Sequence, residues 1–122
     1  MANFGVMHLV GNGADVAALV EKHVAPKMQV MNELWADTAP PVAQVFPGVG
    51  AVLALRKPGY SPARARATDK AFRDAALAAG FVGVDSLVLS TPRPDETNDG
   101  MHFGGATVRV QLMQVMNAIC NG

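Results

Sequence analysis

The order of short apolar runs and longer helical-period segments predicts an α/β fold, a three-layer α/β/α arrangement around a short parallel sheet. Three observations carry this. Phe4–Val10, Gly50–Arg56 and Phe81–Val84 are apolar runs of strand length, near-continuous rather than alternating, as suits strands covered on both faces. The segments between them repeat their apolar residues at helical spacing. Strand, helix, strand, helix, strand, helix then requires crossover connections, which are right-handed and place helices on the sheet faces. At 122 residues the chain is read as a single domain, residues 1–122.

Each element follows from its residues. Phe4–Val10 stops at Gly11-Asn12-Gly13, and a helix is expected over Ala14–Asp37 with Val16, Leu19, Val20, Val24, Met31, Leu34 and Trp35 inward. Pro26 lacks an amide donor and should kink that helix near Ala25. Thr38–Gly48 contains Pro40, Pro41 and Pro47 and reads as a connection, followed by the strand Gly50–Arg56. Pro58-Gly59-Tyr60-Ser61-Pro62 is a stiff turn in which Ser61 suits an N-cap and Pro62 the first helical position. The helix Ala63–Ala79 should end at Gly80, a left-handed C-cap. Phe81–Val84 is the third strand, extendable through Leu87–Leu89. Ser90–Asn98 is Pro-rich and acidic, a surface loop. The last helix, Gly105–Asn121, carries Val108, Leu112, Val115, Met116 and Ile119 on one face.

Composition narrows the function classes. Ten basic and ten acidic residues cancel, and neither sign clusters into a nucleic-acid or membrane footprint. Arg64, Arg66, Lys70 and Arg73 alternate with Asp69 and Asp74 and read as a solvated helix face with ion pairs. No stretch reaches the roughly 18 to 20 apolar residues of a membrane span, and no basic leader with an apolar core opens the chain. Cys120 is the sole cysteine, which excludes an internal disulfide, and its place near the end of an apolar helical face makes a small core residue its expected role. His8, His23 and His102 show no metal-ligand spacing, so no metal or other cofactor is expected; His8 reads as a structural residue and His23 as a surface one. Gly11-Asn12-Gly13 is explained by helix capping better than by phosphate binding.

The most informative motif is Asn98-Asp99-Gly100-Met101-His102-Phe103. A carboxylate three residues before a histidine, on a loop opening a helix, can accept a hydrogen bond from imidazole Nδ1–H, which fixes the tautomer and leaves Nε2 to take a proton from a nucleophile. Asp99 and His102 are therefore read as two thirds of a hydrolase triad, the alternative being a loop histidine hydrogen-bonded to a nearby carboxylate.

Asp99-Gly100-Met101-His102-Phe103 followed by Gln111-Leu112-Met113-Gln114-Val115-Met116-Asn117-Ala118-Ile119 resembles the end of an SGNH (GDSL-like) hydrolase. The likeness is to the PC-esterase branch, which includes O-acetyl transferases and esterases. Leu55-Arg56-Lys57-Pro58 and Asp85…Thr91-Pro92-Arg93 are similar to the same branch. Ala2-Asn3-Phe4-Gly5-Val6-Met7-His8-Leu9-Val10 is similar to its third block. What the resemblance implies is a partial SGNH-like fold in which His102 is the general base, Asp99 orients it and Asn3 donates to the oxyanion. It also implies an acyl, above all acetyl, ester substrate, including esters on carbohydrates. Members place the nucleophilic Ser in a Gly-Asp-Ser block on the first strand, with a second oxyanion donor on a Gly block, and this sequence opens at the Asn block. The resemblance is therefore to the C-terminal portion of such a domain, an esterase or acyltransferase part without its nucleophile; the alternative is a non-catalytic remnant or binding module. On this reading an uncovered sheet edge would invite self-association.

Gly83-Val84-Asp85-Ser86-Leu87 nearly spells the signature, but Val84 interrupts it and Ser86 follows the last strand only 13 residues before Asp99. Ser86 is expected instead to satisfy backbone groups in a turn. Reactive groups of parallel sheets gather at the carboxyl ends of strands, which suits Asp99 and His102. Asn3 sits at the amino end of Phe4–Val10, so either the strand lies before Phe4, with Phe4–Leu9 a loop, or the Asn assignment fails. Substrate identity, hydrolysis against transfer, and compartment are not legible in these residues.

Overall fold

The computed structural model describes residues 15–38, 44–53 and 60–121. The expected strand Phe4–Val10, the Gly11-Asn12-Gly13 turn, His8 and Asn3 lie outside them. The described chain is a mixed α/β fold, mostly helical, around a two-stranded parallel sheet.

The first helical stretch runs from α1 (Val16–Leu19) through a π-helical turn, Val20–Val24, into α2 (Ala25–Ala36). Asp15 caps its start by accepting the Ala18 N–H. The π turn falls directly ahead of Pro26. A proline ring crowds the carbonyl four residues back and offers no amide, and here the helix widens so that the Ala25 N–H reaches Val20 O. Val16, Val20, Val24 and Met28 form the buried row. Leu34 and Trp35, expected inside, are exposed. Asn32 already abuts Gly80 at the end of the neighbouring helix, so the last turn of α2 runs past its packing partner.

β1 (Val45–Phe46) and β2 (Val82–Gly83) pair in parallel with Val45 opposite Val82 and Phe46 opposite Gly83. The crossover between them is α3 (Pro62–Ala78), with Ser61 accepting the Arg64 N–H as N-cap, Pro62 in the first turn and Gly80 at φ +84° just beyond. On this helix Ala65, Phe72 and Ala76 are fully buried, and Phe72 stacks on Phe46 of β1 with ring centroids 5.9 Å apart. α3 packs against β2, α1, the π turn and α2, closing the main core. Lys70 and Asp74 pair across one turn of its solvated face.

The strand expected at Gly50–Arg56 is corrected. β1 lies earlier, inside the segment read as a connection, and residues 47–53 carry no strand pairing, residues 54–59 lying outside the described set. The physical reason is where the backbone donors go. Val49 N–H donates to Asp69 Oδ1 at 2.9 Å, Ala51 N–H to Ser90 Oγ at 2.8 Å and Leu53 N–H to Gly100 O at 2.7 Å. Alternate amides of an apolar run are thus taken by three different partners in place of a neighbouring strand. Leu87–Leu89 is likewise not strand but part of the short helix α4 (Ser86–Ser90), capped by Asp85 accepting the Val88 N–H. A 3-10 turn, Pro94–Glu96, then leads to α5 (Gly105–Asn121), which rests on α4, β1 and that turn; Cys120, expected in the core, is exposed near its end.

A buried polar network joins these parts. The Asp69 carboxylate holds Val49 and also accepts from Arg73, whose guanidinium reaches Asp85 at 3.1 Å. Desolvation opposes the charge on Arg73, but its contacts to Asp69 and Asp85 outweigh that and raise its pKa. Ser86 is buried and donates to Pro47 O, and Ser90 Oγ donates to Ser86 O. Both serines therefore satisfy backbone groups, as expected of Ser86. No described helix is long and apolar enough to cross a membrane.

Candidate functional site

Asp99 and His102 sit on a closed loop between the 3-10 turn and α5. Thr97 and Phe103 form an isolated antiparallel bridge across its base, and Gly104 N–H donates to Glu96 O at 3.0 Å. Gly100 turns the chain at φ +77°, a conformation open to glycine at little cost. The loop is tied inward at two points. Gly100 O accepts the Leu53 N–H, linking it to the segment that follows β1, and Met101 packs on the core. The loop is thus tied to the segment that follows β1 and to the core.

Within the loop both carboxylate oxygens of Asp99 are used. Oδ1 accepts the backbone N–H of Met101 at 2.9 Å and of His102 at 2.8 Å, and also the Thr97 hydroxyl at 3.2 Å, which itself accepts the Gly100 N–H. Oδ2 faces His102 Nδ1 at 2.5 Å. These contacts, the His102 ring first and then the two backbone amides, hold the Asp99 carboxyl well below the usual carboxylate range. An ionised carboxylate has no proton to give, so Nδ1 must carry the hydrogen, and Nε2 is the nitrogen left to accept one. The His102 side chain is 77% exposed, so Nε2 is open to solvent and to an incoming group.

A shallow groove of about 440 Å³ surrounds the pair, lined by Glu96, Asn98, Asp99, His102, Phe103 and Gly104. Its walls combine two carboxylates, one amide and one aromatic ring. Glu96 also anchors the following helix: its Oε2 accepts from the Ala106 N–H at 3.0 Å and lies 3.5 Å from the Thr107 amide, which places a negative charge at the amino end of α5. Glu96 and Asn98 were not legible as site residues. Glu96 stands ten residues before the amide it caps, outside the three-residue spacing of a local capping box.

Of the sequence-predicted residues, Asp99 and His102 are brought together in the expected geometry, while Asn3 lies outside the described residues. Ser86 is held beneath Pro47 and does not line the groove. His23 is exposed on the π turn. Among the described residues no group of three or more His, Cys, Asp or Glu side chains is gathered as a metal would require. No protein-family model, curated protein or solved structure matches this chain.

Proposed function

We propose that Asp99 and His102 are the orienting and general-base members of an SGNH-type acyl-ester hydrolase or O-acyltransferase site, borne on the C-terminal portion of a three-layer α/β/α domain of the PC-esterase type. The observation that supports this reading is the 2.5 Å contact between Asp99 Oδ2 and His102 Nδ1 on a loop tied to the segment that follows β1, with the imidazole exposed to a groove. In the proposed step a hydroxyl nucleophile delivers its proton to Nε2 as its oxygen adds to the acyl carbonyl; the proton then passes to the leaving oxygen as the tetrahedral intermediate collapses. Asp99 remains ionised and stabilises the imidazolium, and Asn3 is assigned as an oxyanion donor by resemblance alone. A nucleophile is still required. These 122 residues contain no contiguous Gly-Asp-Ser, and Ser86 is engaged elsewhere.

The purified chain should therefore hydrolyse p-nitrophenyl acetate near the background rate, with Ser86→Ala leaving that rate unchanged. Robust turnover abolished by Ser86→Ala would overturn the assignment. The genomic sequence ahead of the Met1 codon supplies the complementary test. An in-frame Gly-Asp-Ser segment, expressed together with these residues, should give an esterase that loses activity with His102→Ala. Activity retained in that variant would remove His102 from the mechanism. The second reading, a module that acts by binding alone, is favoured by the exposed apolar side of α5.

A further inference from the structure

The two sides of α5 are inverted relative to an ordinary amphipathic helix of a packed domain. Toward the rest of the chain it turns Thr107, fully buried with its hydroxyl unpartnered, and the half-buried Val110, Gln111, Val115 and Ala118. Away from it stand Val108, Leu112, Met113, Met116 and Ile119, between 40% and 68% exposed. Rolling the helix would bury this apolar stripe, but its rotation is locked at the amino end, where the Glu96 carboxylate holds the Ala106 and Thr107 amides. The stripe is therefore presented outward by construction. A contiguous apolar face of this kind marks an interaction surface.

We propose that this face joins two copies of the chain through antiparallel packing of their α5 helices. The inference is independent of the role assigned to Asp99 and His102, and it concerns a surface other than the sheet edge. Charge selects the occupant and its direction. α5 carries a single charged residue, Arg109, near its amino end and on the exposed side. In an antiparallel pair each Arg109 lies over the last turn of the other helix, whose free carbonyls attract a cation, and the two macrodipoles oppose each other favourably. A parallel pair would instead set Arg109 against Arg109. The antiparallel register places Leu112 of one copy opposite Met116 of the other and Val108 opposite Cys120. Methionine adapts well to such a surface. The five side chains, between 40% and 68% exposed, would form the apolar centre of an interface that needs about 1,000 Å² in all to be specific. A reversible dimer with a dissociation constant in roughly the micromolar range is expected.

The test is sedimentation velocity on the 122-residue chain under reducing conditions, over roughly two decades of concentration about the micromolar range. A concentration-dependent monomer–dimer equilibrium is expected, weakened at least about tenfold by Leu112→Glu combined with Met116→Glu, with circular dichroism unchanged. Because that double variant could fail to fold, a second measurement uses Val108→Cys. On mild oxidation this variant should cross-link copy to copy through the native Cys120, while the parent chain, whose Cys120 residues are far apart in the antiparallel pair, should not. A monomer at every concentration, growth beyond the dimer, a folded double variant that dimerises undiminished, or ready Cys120–Cys120 cross-linking of the parent chain would each overturn the proposal.

Discussion

Replacing Asp69 should show how the Asp99–His102 loop is held in place. Asp69 is buried on α3, where Oδ1 takes the Val49 amide at 2.9 Å and Oδ2 takes the Arg73 guanidinium at 2.8 Å. Asp69→Ala leaves the N–H of a buried residue without an acceptor, a cost of about 1 to 3 kcal/mol. It also strips Arg73 of one of two carboxylates. That guanidinium is only partly shielded and keeps Asp85, so this adds on the order of 1 kcal/mol. The total of about 2 to 4 kcal/mol is a large share of the 5 to 15 kcal/mol that holds a typical domain together. Asp69→Asn keeps an oxygen for Val49 but turns its NH₂ toward the Arg73 donors, so it loses the Arg73 contact alone and should cost about 1 kcal/mol, less than the alanine variant. Urea denaturation of the three proteins, compared at equal m-value, gives the difference directly. The consequence for the site is spatial. Val49 and Leu53 belong to one continuous segment, and the Leu53 N–H is the 2.7 Å anchor of Gly100. In Asp69→Ala the amide resonances of Gly100, Met101 and His102 should therefore shift although the mutation lies on another element. Equal stability losses for the alanine and asparagine variants would show that Oδ1 does not support Val49. Undisturbed loop resonances in a destabilised Asp69→Ala would refute the mechanical link to the site.

Asp99→Asn should reverse the imidazole tautomer. Three donors fix an oxygen at the Oδ1 position, so the new NH₂ must take the Oδ2 place and donate to His102 Nδ1, moving the ring hydrogen to Nε2; ¹⁵N spectra of the neutral ring that still show Nδ1–H would refute this. Gly48→Ala places a Cβ 2.5 Å from Val84 O at φ +78°, so left-handed strain and overpacking together should cost about 2 to 5 kcal/mol in denaturant unfolding. Gly50→Ala two residues on, with nothing within 4 Å of its Cβ, should be neutral or stabilising by up to about 1 kcal/mol, and similar losses at both sites would remove the close approach as the cause.

What the sequence by itself determined is the local part of this protein. The long helices were legible because their signals are short-range: Ser61 and Pro62 at the start of α3, Gly80 beyond it, and Gly105–Asn121 bounded to the residue. The Asp99–His102 pair was legible for the same reason, since a three-residue spacing on a turn brings carboxylate and imidazole together with no help from the rest of the fold. The tertiary structure alone decided the placement of β1, because a two-residue strand exists only through its pairing with Val82–Gly83, and the more apolar run after it gives its amides to Asp69, Ser90 and Gly100. It alone decided that α5 faces outward with its apolar stripe. Periodicity reports that a helix has two sides; which side meets the chain depends on a clamp from Glu96, ten residues before Ala106, and no local spacing encodes that contact.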